Sequence, residues 1–141
     1  MSVLQPRAAF LTALQAIIQG LGLFNLVEVT PLHSAEIGLD QYPACDITIV
    51  GEAQTKYDIT HTADLMPRIN VRYFSIVSAQ ELLQLDEAVI DAVNNDARIS
   101  DTCIQMYCLS GDPPRYFMEP EEGGGIYFQD RVFQAKLRRQ F

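Results

Sequence analysis

Apolar residues fall at two different spacings along this chain, and the switches between them mark its elements. From Phe10 to Leu21 they recur every three or four positions (Phe10, Leu11, Leu14, Ile17, Ile18, Leu21). That spacing predicts an amphipathic helix over 6–20. Pro6 suits its first turn, where no N–H is needed, and Gly20 and Gly22 end it. Phe24 to Val29 reads as a strand stopped by Pro31. Asp46 to Val50 alternates with Ile47 and Ile49 inward, and Gly51 follows. Arg68 to Phe74 is the cleanest alternation. Ile69, Val71 and Tyr73 take one side, and Arg68, Asn70 and Arg72 the other.

A second helix begins at Ser78-Ala79-Gln80-Glu81, a capping box in which each side chain satisfies the other residue's backbone N–H. Leu82, Leu85, Val89 and Val93 give it an apolar stripe to about residue 94. Asp86, Glu87 and Asp91 are expected on its solvated outer face. Thr102 to Leu109 is apolar on both faces and reads as a central strand. Arg115 to Met118 and then Ile126 onward form a closing pair around Gly123-Gly124-Gly125. In the last strand the apolar set slips from Ile126, Phe128 and Val132 to Phe133, Ala135 and Leu137, which predicts a bulge near 130–133.

Two stretches lack a period. Residues 30–44 hold Pro31, Gly38 and Pro43 and read as a long loop. Residues 52–66 are polar and threonine-rich, a hairpin tip or an extended excursion. Loops of such length in compact domains usually carry function. The element order, with hairpin-length connections late in the chain, predicts an α+β fold. Its sheet is mixed or antiparallel, of four to six strands, with two main helices packed on one face. The 141 residues are expected to form a single domain.

Charge adds one asymmetry. The net charge is −8, but the last eleven residues carry Arg131, Lys136, Arg138 and Arg139 with no acid. The first 130 residues hold six basic and eighteen acidic side chains, a balance of −12. An acidic body does not grip phosphates, and it lets nucleic acid pass without sticking. The basic end is suited to contact an acidic surface, such as the body of a neighbouring copy. No apolar run is long enough to span a bilayer, and the first residues lack the pattern of a signal peptide.

The candidate chemistry is sparse. Cys45, Cys103 and Cys108 lack metal-finger spacing and read as small apolar fillers in a reducing compartment. His33 and His61 are loop residues outside any metal-ligand pattern. Asp58 and His61 are three apart and form the one imaginable acid–base pair, the basis of a rival hydrolase reading. The glycine triplet follows two acids and has no Lys-Ser/Thr ending, so it is a turn and not a phosphate loop. No catalytic residue, cofactor or metal site is expected.

The opening helix from Arg7 to Gln19, Tyr42-Pro43-Ala44 leading into Asp46 to Val50, and Gly51-Glu52 starting a polar excursion together resemble the tail terminator (tail completion) proteins of tailed bacteriophages. The strand Arg68 to Val77, the capped helix Ser78 to Val93 followed by Asp96-Ala97-Arg98-Ile99, and Gly125-Ile126-Tyr127-Phe128 continue the likeness over almost the whole chain. The resemblance is one of element order and hydrophobic pattern. It implies a virion protein of the tail–neck region, assembled in the host cytoplasm. Such a subunit forms a ring, usually a hexamer, on the last ring of the tail tube protein. It stops tube growth, offers its other face to the head–tail connector protein, and leaves a lumen for DNA. On that view 30–44 and 52–66 carry docking, with Lys56, Tyr57, Asp58 and His61 in the second segment, while Arg131, Lys136, Arg138 and Arg139 support subunit contact. The basic last strand departs from the family pattern. A head-completion or head–tail adaptor ring and a peptide-binding module are the other readings.

Overall fold

A computed structural model describes residues 6–32, 37–54, 62–96, 105–111, 114–119 and 124–140. Helix α1 spans Pro6–Gly20 and α2 spans Ala79–Asn95. The strands are β1 (Leu26–Glu28), β2 (Ala44–Gln54), β3 (Thr62–Ser75), β4 (Gln105–Gly111), β5 (Arg115–Glu119) and β6 (Gly124–Gln140). They form one mixed sheet in the order β1-β2-β3-β6-β4, with β5 also on β6. Among the described residues only β1 and β2 run parallel.

Both helices pack on one sheet face. Phe10, Leu14, Ile17 and Ile18 of α1 and Leu82, Leu85, Val89 and Val93 of α2 share a core with Cys45, Ile47, Ile69, Val71, Tyr73, Phe133, Ala135 and Leu137. The helical stripes meet the alternating faces of β2, β3 and β6, as their two periods require. Gly22, at φ 70°, releases the chain from α1 into β1. The Gln15 amide donates to the Val27 carbonyl at 3.0 Å and ties that helix to that strand.

The capping box forms by half. Ser78 Oγ accepts the Glu81 N–H at 3.1 Å, but the Glu81 carboxylate accepts from the Ser75 hydroxyl at 2.7 Å instead of returning to the cap. Ser75 Oγ also accepts the Val77 N–H. One buried hydroxyl thus fixes the corner between β3 and α2.

Four expectations change. The last strand has no extra residue, because its register with β3 keeps step from Thr62↔Gln140 to Ser75↔Tyr127. Its apolar residues serve both faces. Phe133, Ala135 and Leu137 meet the helices, whereas Ile126 and Phe128 meet a second, smaller core of Ile37, Tyr42, Ala44 and Phe74 on the opposite face. The irregularity opposite 131–133 belongs to β4, between Cys108 and Gly111. The strand expected to be central, β4, ends the sheet, and β3 and β6 are its middle. β3 also starts before Pro67, at Thr62; its ladder to β6 omits Met66 and Pro67, which accommodates the missing N–H. Finally, Cys45 is buried as a filler but Cys108 is exposed, while Cys103 lies outside the described residues.

Candidate interaction surface

Both ends of the polar excursion are strand. β2 continues to Gln54 and β3 begins at Thr62, so the two pair as a hairpin as far as Gln54↔Leu65. Lys56, Tyr57, Asp58 and His61 lie between them, outside the described residues, as does His33. On the other side of β3, Thr62, Ala63, Asp64 and Leu65 stand opposite Gln140, Arg139, Arg138 and Leu137. The end of β2, the start of β3 and the end of β6 therefore make one three-stranded extension. It joins the polar excursion to the basic end of the chain. The sequence singled out both segments, but it held no sign that they are neighbours, since 74 residues separate Asp64 from Arg138.

Of the four basic residues at that end, Arg138 and Arg139 are placed by backbone register, and Lys136 stands opposite Gln105 of β4. Arg131 lies further back, on the helix face. Its Nε donates to Asp86 Oδ1 at 2.9 Å and its Nη2 to Oδ2 at 2.5 Å. The Tyr73 hydroxyl donates to the same Oδ1 at 3.0 Å. Asp86 is 4% exposed, which corrects the expectation of a solvated acid. Glu87 and Asp91 are exposed as expected. The spacing Leu82, Leu85, Asp86, Val89, Val93 already put Asp86 on the buried stripe. Burial pushes the Tyr73 phenol up, and the Asp86 charge adds to it. The hydrogen bonds that Arg131 donates to Asp86 push its guanidinium further up and keep it firmly protonated.

The face away from the helices carries a second polar group. Register sets Asp46, Arg72 and Asp130 side by side on β2, β3 and β6. Arg72 grips Asp130 in a forked pair at 2.6 and 2.9 Å, and Arg115 of β5 reaches Asp130 Oδ2 at 2.9 Å. Both guanidiniums lie over the Phe128 ring, 5.4 and 4.5 Å from its centroid. Asn70 also donates to Asp130. Burial works to raise the Asp130 carboxyl. The hydrogen bonds from Arg72 and Asn70 and the charges of Arg72 and Arg115 outweigh it and hold the group below the ordinary carboxylate value. Asp46 goes the other way: burial raises it, although it accepts the Leu32 N–H at 3.0 Å and feels Arg72. Alternation had put Arg72 on this face, but its partners depend on cross-strand register, which no local pattern encodes.

These carboxylates are engaged by donors and hold strands or helices in place. Among the described residues no group of three or more His, Cys, Asp or Glu is placed to hold a metal ion. A depression of about 500 Å³ on the outer side of α2 is lined by Gln84, Glu87, Ala88, Ile90 and Asp91. Among the described residues no helix is long and apolar enough to cross a membrane. What the arrangement offers is strand edges, a three-stranded extension and segregated charge, which are means of binding.

No protein-family model matches the chain, and none of the curated proteins matches it. Among solved structures, it is similar to a chain from the virion of a native gene transfer agent particle, at 14% identity and a TM-score of 0.45. The likeness covers 94% of this chain and 93% of the other.

Proposed function

We propose that the chain is a structural virion protein that caps a tail tube as a ring, arrests tube polymerisation and joins the tail to the head connector. The observation that carries this reading is the three-stranded extension. It unites the two segments assigned to docking and subunit contact, the polar excursion and the basic end, through the pairing of Thr62–Leu65 with Leu137–Gln140. The resemblance in element order to tail terminators supports the same role. In this reading the protein works by asymmetric binding and not by catalysis. One face docks on the last ring of tube protein, and the other lacks the surface that a further ring needs. Copies associate as a ring, six by the family pattern, through heterologous contacts. The acidic body, −12 over the first 130 residues, lets DNA pass through the lumen without adhering.

The test is a loop deletion. Replacing 55–61 with a two-residue turn removes Lys56, Tyr57, Asp58 and His61 and leaves β2 and β3 paired. The variant is expected to keep the wild-type circular dichroism and to lose the ability to arrest growing tail tubes, measured as tube length in negative stain. Arrest at the wild-type length by the folded variant would remove the excursion from the docking surface. Failure of the wild-type protein itself to arrest tubes would overturn the terminator reading.

A further inference from the structure

We infer that the outer edge of β2, from Ile47 to Gln54, takes β4 of a second copy of this chain as its next strand. The inference rests on the ring reading and names the contact that closes the ring. Among the described residues, β1 covers β2 only at Ala44, Cys45 and Asp46, so the eight residues from Ile47 onward present backbone groups with no neighbouring strand on that side. The opposite end of the sheet is β4, whose outer edge is likewise unpaired among the described residues. It is seven residues long, close to the length it would cover.

Strand direction favours this match. β2 is antiparallel to β3, β3 to β6, and β6 to β4. Three reversals leave β2 and β4 running in opposite directions. A copy generated by rotation about an axis along the strands keeps those directions, so its β4 arrives antiparallel to β2. That is the better-bonded of the two pairings.

The side chains agree with a covered edge. Ile49 is 41% and Val50 59% exposed beside the open backbone. Edge strands that must stay free are guarded by lysine, proline or bulges. Neither β2 (ACDITIVGEAQ) nor β4 (QMYCLSG) carries lysine or proline. Each holds one register irregularity, between Ile49 and Gly51 and between Cys108 and Gly111, so the pairing has to accommodate both. β4 has no charge at all, so nothing in it opposes the single acid of the β2 run, Glu52. Joining β2 of one copy to β4 of the next pairs both of these open edges at every contact of a closed ring, whereas a two-fold β2–β2 contact would leave β4 unpaired.

Cysteine pairing tests this. Val50→Cys is placed in the full chain with native Cys108, in a Cys103→Ser background, and assembled samples are mildly oxidised after their mass is measured by light scattering. A ladder of covalent oligomers is expected, at least tenfold weaker when Cys108→Ser is added. Val50→Lys, without oxidation, is expected to lower the mass to that of a monomer while the circular dichroism is unchanged. A covalent dimer that survives Cys108→Ser would mean a two-fold edge contact and overturn the inference. A ring mass with no ladder, and with Val50→Lys still assembled, would overturn it too while leaving the ring reading intact. A monomeric wild type, with and without tail tubes, would overturn both.

Discussion

Removing Asp86 should cost this protein far more than removing an ordinary helix-surface acid. In Asp86→Ala the Arg131 guanidinium loses both of its carboxylate contacts and the Tyr73 hydroxyl loses its acceptor. Breaking one partner out of a buried ion pair costs about 3–5 kcal/mol. Arg131 keeps 18% of its side-chain surface in water, which moves the charge penalty to the low end. The Tyr73 hydroxyl is fully buried, and leaving it without a partner adds about 1 kcal/mol. The expected loss is about 3–4 kcal/mol, or roughly 10 °C in Tm for a chain of this size. Urea denaturation measures it directly, provided the transition is two-state. Asp86→Asn should lose about half as much, because the amide oxygen still accepts from Tyr73. The pair Asp86→Leu with Arg131→Met should recover much of the loss, giving a coupling above about 1.5 kcal/mol in the double-mutant cycle. A cost below about 1 kcal/mol for Asp86→Ala, the value of an exposed pair, would refute the placement of Asp86 between helix and sheet.

Ser78→Ala should destabilise by about 1 kcal/mol in the same assay, since it removes the acceptor of the Glu81 N–H at the start of α2. The two carboxylates of the outer face should give opposite pH signatures. Asp130 is depressed in the folded state, so its contribution is present above the unfolded pKa of about 4 and is lost as pH falls through the folded value; Asp130→Asn should flatten stability against pH below about 4. Asp46 is raised, so the folded state holds its proton longer and stability falls as pH rises from about 4 toward the raised value. Asp46→Asn should remove that decline, and urea midpoints from pH 3 to pH 7 for the three proteins decide both points.

Much of the architecture was legible because it follows from periodicity. A 3.6-residue stripe from Phe10 to Leu21 and a two-residue alternation at Ile69, Val71 and Tyr73 each require a buried partner face, and burial enforces them. The cap at Ser78 is local chemistry and was readable for the same reason. The slip of apolar residues in β6 was visible too, but its cause was not. A strand of seventeen residues can serve one core with Phe133 and Leu137 and another with Ile126 and Phe128, and an inserted residue would look the same in sequence. The place of β4 at the sheet edge was equally hidden, since apolar residues on both faces do not distinguish a central strand from an edge.

The polar pairs mark the boundary most clearly. The sequence by itself determined the alternation of β3, where the helices start, and that a basic end follows an acidic body, because all of these depend on neighbours within a few positions. Ile49, expected inward, is exposed beside a register shift in β2 that no local pattern shows. Only the tertiary structure decided that Arg131 would be taken up by Asp86, that Arg72 would lie between Asp46 and Asp130, and that the polar excursion would run beside Arg138 and Arg139. Those meetings depend on which strands pair and in which register. The long-range packing of the whole sheet sets that register, and a one-residue shift would carry every one of these side chains to the other face.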